Sequence, residues 1–152
     1  MQKTLPTKRT LSHALIIGLL ATTAWADPAA PVVDVYKSPT CGCCSKWIDH
    51  LKANGFTVRS HDTADVAAHK ARLGIPPAYE SCHTAQVGGY VIEGHVPARD
   101  IRRLLKEKPQ ARGLAVPGMP VGSPGMEQGN QKDRYEVILL DERGAPRVYS
   151  RY

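Results

Sequence analysis

Two spacings of apolar residues alternate along this chain. From Pro31 to Tyr36 (PVVDVY), β-branched residues lie between prolines and the turn Lys37-Ser38-Pro39-Thr40, which predicts a short buried strand. From Gly42 to about Ala53 the spacing becomes helical: Cys44, Trp47, Ile48 and Leu51 fall at i, i+3, i+4 and i+7 on one face. Asn54-Gly55 ends that helix, glycine suiting a left-handed C-cap. Phe56 to Arg59 reads as a second strand. A second helix runs from Asp62 or Thr63 to Leu73, with Asp62 as N-cap, Gly74 as stop and Pro76-Pro77 beyond it.

After a loop from Ala78 to Thr84, the stretch Val87 to Glu93 is strand-like with weak alternation, and its paired glycines predict close backbone approach. A third helix follows Pro97, buries Ile101, Leu104 and Leu105, and stops at Pro109. Gly113 to Gly129 is rich in Gly and Pro and reads as a long loop. Tyr135 to Leu140, a turn over Asp141 to Ala145, and Arg147 to Tyr149 form a terminal hairpin. The order strand-helix-strand-helix-strand-helix-strand-strand is that of an α/β fold, and there is no internal repeat.

The N-terminal residues change this picture. Lys3, Lys8 and Arg9 precede an apolar run from Ala14 to Ala21 and then Ala24-Trp25-Ala26, the order of a cleaved secretory signal. The run is much shorter than the ~20 residues that cross a bilayer. Residues 1–26 are therefore expected to be removed, leaving 27–152 as one periplasmic domain with no membrane span. That removal takes three basic residues and no acidic one, so the formal charge falls from +6 to +3. The remaining charges alternate in sign, as in Arg102, Arg103, Lys106, Glu107 and Lys108, without the concentrated basic footprint of a nucleic-acid binder.

Chemistry concentrates where the first strand meets the first helix. Pro39-Thr40-Cys41-Gly42-Cys43-Cys44 places Cys41 at a helix start, where backbone N–H groups and the helix dipole favour thiolate over thiol. A CxxC opening the first helix after the first strand resembles the thioredoxin-like arrangement. In that family a proline-containing loop precedes a hairpin, and Met119-Pro120 is the matching segment, with Pro120 as counterpart of the cis-proline. A dithiol redox site needs one attacking and one resolving sulfur, however, and Cys43 adds a third. Three thiols in four residues suit a metal better. Their sulfurs do not all converge on one ion unaided, and Cys82 in Ser81-Cys82-His83-Thr84 is the natural fourth ligand. Thiolates and thioethers select copper(I), zinc or iron–sulfur clusters. The loop methionines Met119 and Met126 fit copper better than zinc, and neighbouring thiolates can bridge several copper(I) ions.

Together with the N-terminal signal, four segments resemble the CopG-type copper-resistance proteins, a thioredoxin-like domain long described only as of unknown function. They are Tyr36-Lys37-Ser38-Pro39-Thr40-Cys41-Gly42-Cys43-Cys44, Ser81-Cys82-His83-Thr84, Gly89-Tyr90-Val91-Ile92-Glu93-Gly94-His95-Val96-Pro97 and Gly113-Leu114-Ala115-Val116-Pro117-Gly118-Met119-Pro120. The resemblance implies a thioredoxin-like α/β domain with a central mixed sheet flanked by helices. It further implies periplasmic location and a cysteine-bridged multinuclear copper site with Cys41, Cys43, Cys44 and Cys82 as ligands, together with participation in copper redox interconversion. Other periplasmic copper-handling proteins are the partners such a role implies.

Other readings of the same residues remain. Cys41 and Cys44 alone spell a thiol–disulfide oxidoreductase. Four cysteines in an exported domain also suit two disulfides stapling an interaction module, although the short loop would strain a Cys41–Cys43 or Cys41–Cys44 bond. Structural zinc is a further alternative. Among nitrogen and thioether donors, His83, Met119, Met126 and His95 are secondary ligand candidates, His95 being equally suited to cap the helix after Pro97. Glu93 is placed to orient a histidine. Trp47 reads as core, and His50, His61 and His69 as surface. No nucleophile–base order or phosphate loop supports hydrolysis or phosphoryl transfer.

Overall fold

A computed structural model describes residues 31–142 and 146–152. The expected signal over 1–26 and the tip of the last hairpin, 143–145, lie outside the described residues. The elements are β1 (Val33–Lys37), α1 (Gly42–Ala53), β2 (Val58–Asp62), α2 (Val66–Arg72), a 3₁₀ turn (Pro77–Tyr79), β3 (Thr84–Val87), β4 (Tyr90–Glu93), α3 (Ala98–Glu107), β5 (Gly113–Ala115), β6 (Glu136–Leu140) and β7 (Arg147–Arg151). They build one mixed sheet in the order β2-β1-β3-β4-β5-β6-β7. β1 pairs in parallel with β2 and β4 with β5, while the other four pairings are antiparallel. The four strands β2-β1-β3-β4 with α1, α2 and α3 make the thioredoxin-like unit that the sequence resemblance implies, and β5 to β7 extend its sheet.

Alternation along the central strands sends side chains to two separate cores. Ile92, Leu114 and Leu139 join Val33, Val35, Trp47, Leu51, Ile101 and Leu104 on the side of α1 and α3. Their neighbours Val91, Ala115 and Leu140 join Ile75, with Leu73 and Tyr79 against them. A strand covered on both faces shows no polar-apolar rhythm, which is why Val87 to Glu93 alternates so poorly. Each large side chain so buried contributes on the order of 2–3 kcal/mol.

Several expectations are corrected. The stretch read as a single strand around Val87 is a hairpin, β3 turning into β4 at Gly88-Gly89 with φ of 54° and 85°. Positive φ at both central residues is the type I′ requirement, hence two glycines. β5 lies inside the segment expected to be a loop. Asp62 does not cap α2; it ends β2 and pairs with Lys37 at 2.8 Å. The cap is Asp65, whose carboxylate accepts the Ala68 N–H at 2.9 Å. Phe56 to Arg59 is displaced toward the C-terminus, to Val58–Asp62, by the parallel register with β1.

A candidate metal centre at one end of the sheet

Strand register explains why distant residues meet. α1 begins just past the C-terminal end of β1. β3 runs antiparallel to β1 with Thr84 opposite Tyr36, so Cys82 and His83 arrive beside that same end. β4 runs antiparallel to β3 with Glu93 opposite Thr84, which brings Gly94 and His95 there too. β5 runs parallel to β4 with Ala115 opposite Glu93, so the segment after β5 also leaves from this end. Four chain segments converge on one rim.

On that rim the sulfurs of Cys41, Cys43, Cys44 and Cys82 all lie within 4.8 Å of one another. Cys82 Sγ is 3.5 Å from Cys44 Sγ and 3.8 Å from Cys43 Sγ, and Cys43 Sγ is 3.5 Å from Cys41 Sγ. Cys41 and Cys44 are joined in a disulfide, while Cys43 and Cys82 are free. The expected strain in a Cys41–Cys44 bond is therefore a correction: their Cα atoms stand 5.4 Å apart across the first turn of α1, within the ordinary disulfide range. Burial, followed by the neighbouring Cys43, pushes the Cys82 thiol up to about 12. A metal ion taken up by that sulfur would have to displace its proton.

Cys82 also faces nitrogen. His95 Nε2 lies 3.1 Å and His83 Nδ1 3.3 Å from its sulfur, and both rings are fully buried. His95 Nδ1 is 2.8 Å from the Pro124 carbonyl. A carbonyl only accepts, so Nδ1 carries the proton and Nε2 turns a lone pair toward Cys82. Burial lowers both histidine pKa values and so favours the neutral ring that metal ligation requires. His83 Nε2 has no hydrogen-bond partner among the described residues. The His83 ring lies against Trp47, at 4.4 Å between centroids, and the Trp47 indole N–H donates to the Val96 carbonyl at 2.9 Å. Trp47 thus builds the wall of the site as well as the core.

The long segment after β5 folds back over α1. Gly125 sits at φ 86°, and a Cβ there would come 2.8 Å from the Cys43 carbonyl and the Trp47 nitrogen, so only glycine allows this approach. Next to it, Met126 lines a cavity of about 260 Å³ with Gly42, Cys43, Lys46, Glu127 and Gln128. Met119 is 51% exposed on the same segment. Pro120 comes after β5, not before the β3–β4 hairpin, and no cis peptide occurs among the described residues. The segment entering the β3–β4 hairpin is Ser81-Cys82-His83, which carries a cysteine and no proline.

Three features escaped the sequence reading. Glu93 is fully buried but orients no histidine; it pairs with Lys70 and accepts the Ser81 N–H at 2.7 Å. Lys70 is buried and donates also to the His83 carbonyl at 3.3 Å. His95 caps no helix: the Ala98 N–H at the start of α3 donates at 3.1 Å to Nε2 of His50, a half-buried residue expected at the surface. Lys70 had a signal, since a charge on the stripe Val66, Lys70, Leu73 sits where α2 needs an apolar residue. His61 and His69 do lie outward, stacked against Tyr36.

Residues 79–126 match a family model described as a protein of unknown function, DUF411. No curated protein sequence matches the chain. Two solved structures, named copper resistance protein CopG form 2 and form 1, are 50% identical to it, with TM-scores of 0.78 and 0.77. Each match covers 81% of this chain and 98% of the solved one. No helix among the described residues is long and apolar enough to cross a membrane. With half of the aligned residues identical over nearly the whole of the solved chains, and four sulfurs gathered on the rim, the chain belongs to the CopG family of copper resistance proteins.

Proposed function

We propose that the protein binds copper for copper resistance in the periplasm, holding copper(I) on the thiolates of Cys41, Cys43, Cys44 and Cys82 as a multinuclear cluster once the Cys41–Cys44 bond is reduced. The observation that carries this reading is the position of Cys82, a free thiol brought by a separate strand to within 3.8 Å of two α1 sulfurs. A redox dithiol has no use for two further sulfurs packed at that distance, whereas closely spaced soft thiolates suit copper(I). His83 and His95 supply nitrogen beside Cys82, and Met126 and Met119 supply thioethers on the covering segment. Export of 27–152 after loss of 1–26 would place the site among periplasmic copper-handling partners.

Copper redox interconversion belongs to the same proposal. Two copper(II) ions each taking one electron from the Cys41/Cys44 dithiolate give two copper(I) ions and the disulfide; the reverse consumes the disulfide and returns two thiolates. The Cys41–Cys44 bond also favours a second reading, a thiol–disulfide oxidoreductase with Cys41 as nucleophile and Cys44 as resolver.

Metal content and thiol titration of the 27–152 protein, reduced and handled without oxygen, separate the two. More than one copper per chain, with thiolate-to-copper absorption, is the expected result. Less than one copper with four titratable thiols overturns it. Insulin reduction that needs Cys41 and Cys44 but survives Cys82→Ser would establish the second reading.

A further inference from the structure

We propose that the buried Lys70–Glu93 ion pair is a positioning device for Cys82, clamping the residues on either side of that ligand so that its sulfur stays at the mouth of the α1 cluster. The proposal rests on the copper reading above. Cys41 opens α1 and Cys43 and Cys44 lie on it, whereas Cys82 comes from elsewhere in the chain, so its place depends on the short segment entering β3. That segment is gripped at both ends by one ion pair. Glu93 Oε1 accepts the N–H of Ser81, the residue before Cys82, at 2.7 Å. Lys70 Nζ, bonded to the same carboxylate oxygen, donates to the carbonyl of His83, the residue after it, at 3.3 Å. The Gly94 N–H donates to that carbonyl as well, at 3.1 Å.

The pair's burial argues against a role in stability alone. The side chains of Lys70 and Glu93 are 5% and 0% exposed. Two charges so enclosed lose hydration that their attraction barely recovers, and replacing such pairs with apolar residues is often neutral or stabilising. Here the two charged groups come from α2 and β4, elements that hold no sulfur, and they meet behind the cysteine segment. What the pair adds is a fixed backbone on both sides of Cys82. Groups that orient metal ligands from behind in this way commonly change metal affinity by about 10-fold to 100-fold when removed.

The test compares two double variants of the 27–152 protein with wild type and with Cys82→Ser. Lys70→Met with Glu93→Leu removes both grips without stranding a charge. Lys70→Met with Glu93→Gln removes the charges but keeps an acceptor for the Ser81 N–H. Each is reduced, loaded with copper(I), and followed by thiolate-to-copper absorption and by the rate of copper transfer to a chelator, with thermal unfolding measured alongside. The Leu variant is expected to lose copper about 10-fold faster or more and to show the altered absorption of Cys82→Ser, while still unfolding cooperatively. The Gln variant is expected to lose copper faster than wild type but more slowly than the Leu variant. A folded Leu variant with wild-type absorption and transfer rate overturns the proposal; if the Leu variant does not fold, wild-type behaviour of the Gln variant overturns it. Wild type that takes up no copper on its thiolates would defeat the underlying copper reading instead, and the two failures are told apart by the wild-type sample alone.

Discussion

The starts of α1 and α3 pose the same local problem and solve it in opposite ways. Both open on a residue whose own side chain makes no cap, Cys41 for α1 and Pro97 for α3. A helix start carries backbone N–H groups in need of acceptors and the positive end of the helix dipole. At α3 an imidazole from the last turn of α1 closes the first turn, with His50 Nε2 accepting the Ala98 N–H. At α1 the groups gathered are the sulfurs of Cys41, Cys43, Cys44 and Cys82. One helix thus supplies the reactive start and also the acceptor for its neighbour's start. The difference teaches that a helix N-terminus becomes chemistry only when the groups delivered to it are polarisable and left accessible to a ligand.

The strongest way to break the contrast is to remove a sulfur from the reactive end. Cys43→Ser is expected to lower the number of copper(I) ions bound per reduced chain, read by metal analysis, with little change in unfolding temperature. Copper content identical to wild type would contradict a multinuclear cluster. Next comes the cover over that end. Gly125→Ala puts a methyl group against the Cys43 carbonyl and the Trp47 backbone at positive φ. It is expected to cost about 1–3 kcal/mol of stability in denaturant titration and to speed copper release, because the segment must lift off α1.

The capped end is predicted to behave differently. His50→Ala leaves the Ala98 N–H without its acceptor and is expected to cost about 1 kcal/mol, as lost caps do, with copper content unchanged. Burial lowers the His50 pKa from 6.5, with Glu127 opposing. A lowered histidine pKa means the folded state favours the neutral ring. Its contribution is complete above the ordinary histidine pKa and is lost as pH falls through the folded value. His50→Gln, which keeps an acceptor but does not titrate, should therefore lose stability less steeply than wild type as the pH falls from the ordinary histidine pKa to the lowered folded one. The smallest effect is expected far from both helix starts. Asp34 bonds Arg59 and His61 across the β1–β2 pair, and these partners hold its pKa below 3.8. Its contribution is present above the ordinary aspartate pKa and lost as pH falls through the lowered one. Asp34→Asn should cost less than about 1 kcal/mol at neutral pH, an exposed pair being screened by solvent, and leave copper binding untouched.

Local pattern was enough to read α1, while α2 was expected to start too early. Cys44, Trp47, Ile48 and Leu51 do form the buried face of α1, and the span Gly42–Ala53 agrees with the expectation. Strands covered on both faces were harder. β3, β4 and β5 had no polar rhythm to reveal them, and β5 is three residues long within a Gly/Pro-rich stretch. The site divides in the same manner. Three cysteines in four residues announce themselves, and Cys82 follows by need of a fourth ligand. The grip on Cys82 depends on α2 and β4 meeting across 23 residues of sequence, and nothing in either segment names the other. The Cys41–Cys44 bond was misjudged because loop length was weighed without the helical turn that brings the two Cα atoms together.

The Gly88-Gly89 turn has a practical consequence. It sits at the end of the β3–β4 ladder away from the sulfurs, and four strand residues at ~3.3 Å each put roughly a dozen ångströms between them. Both glycines are exposed. A fluorophore or a tether to a solid support carried on Gly89, where an added Cβ meets nothing within 4 Å, would immobilise or report on the molecule while the cysteine rim stays open to solution, the attachment point and that rim being set apart by the sheet itself.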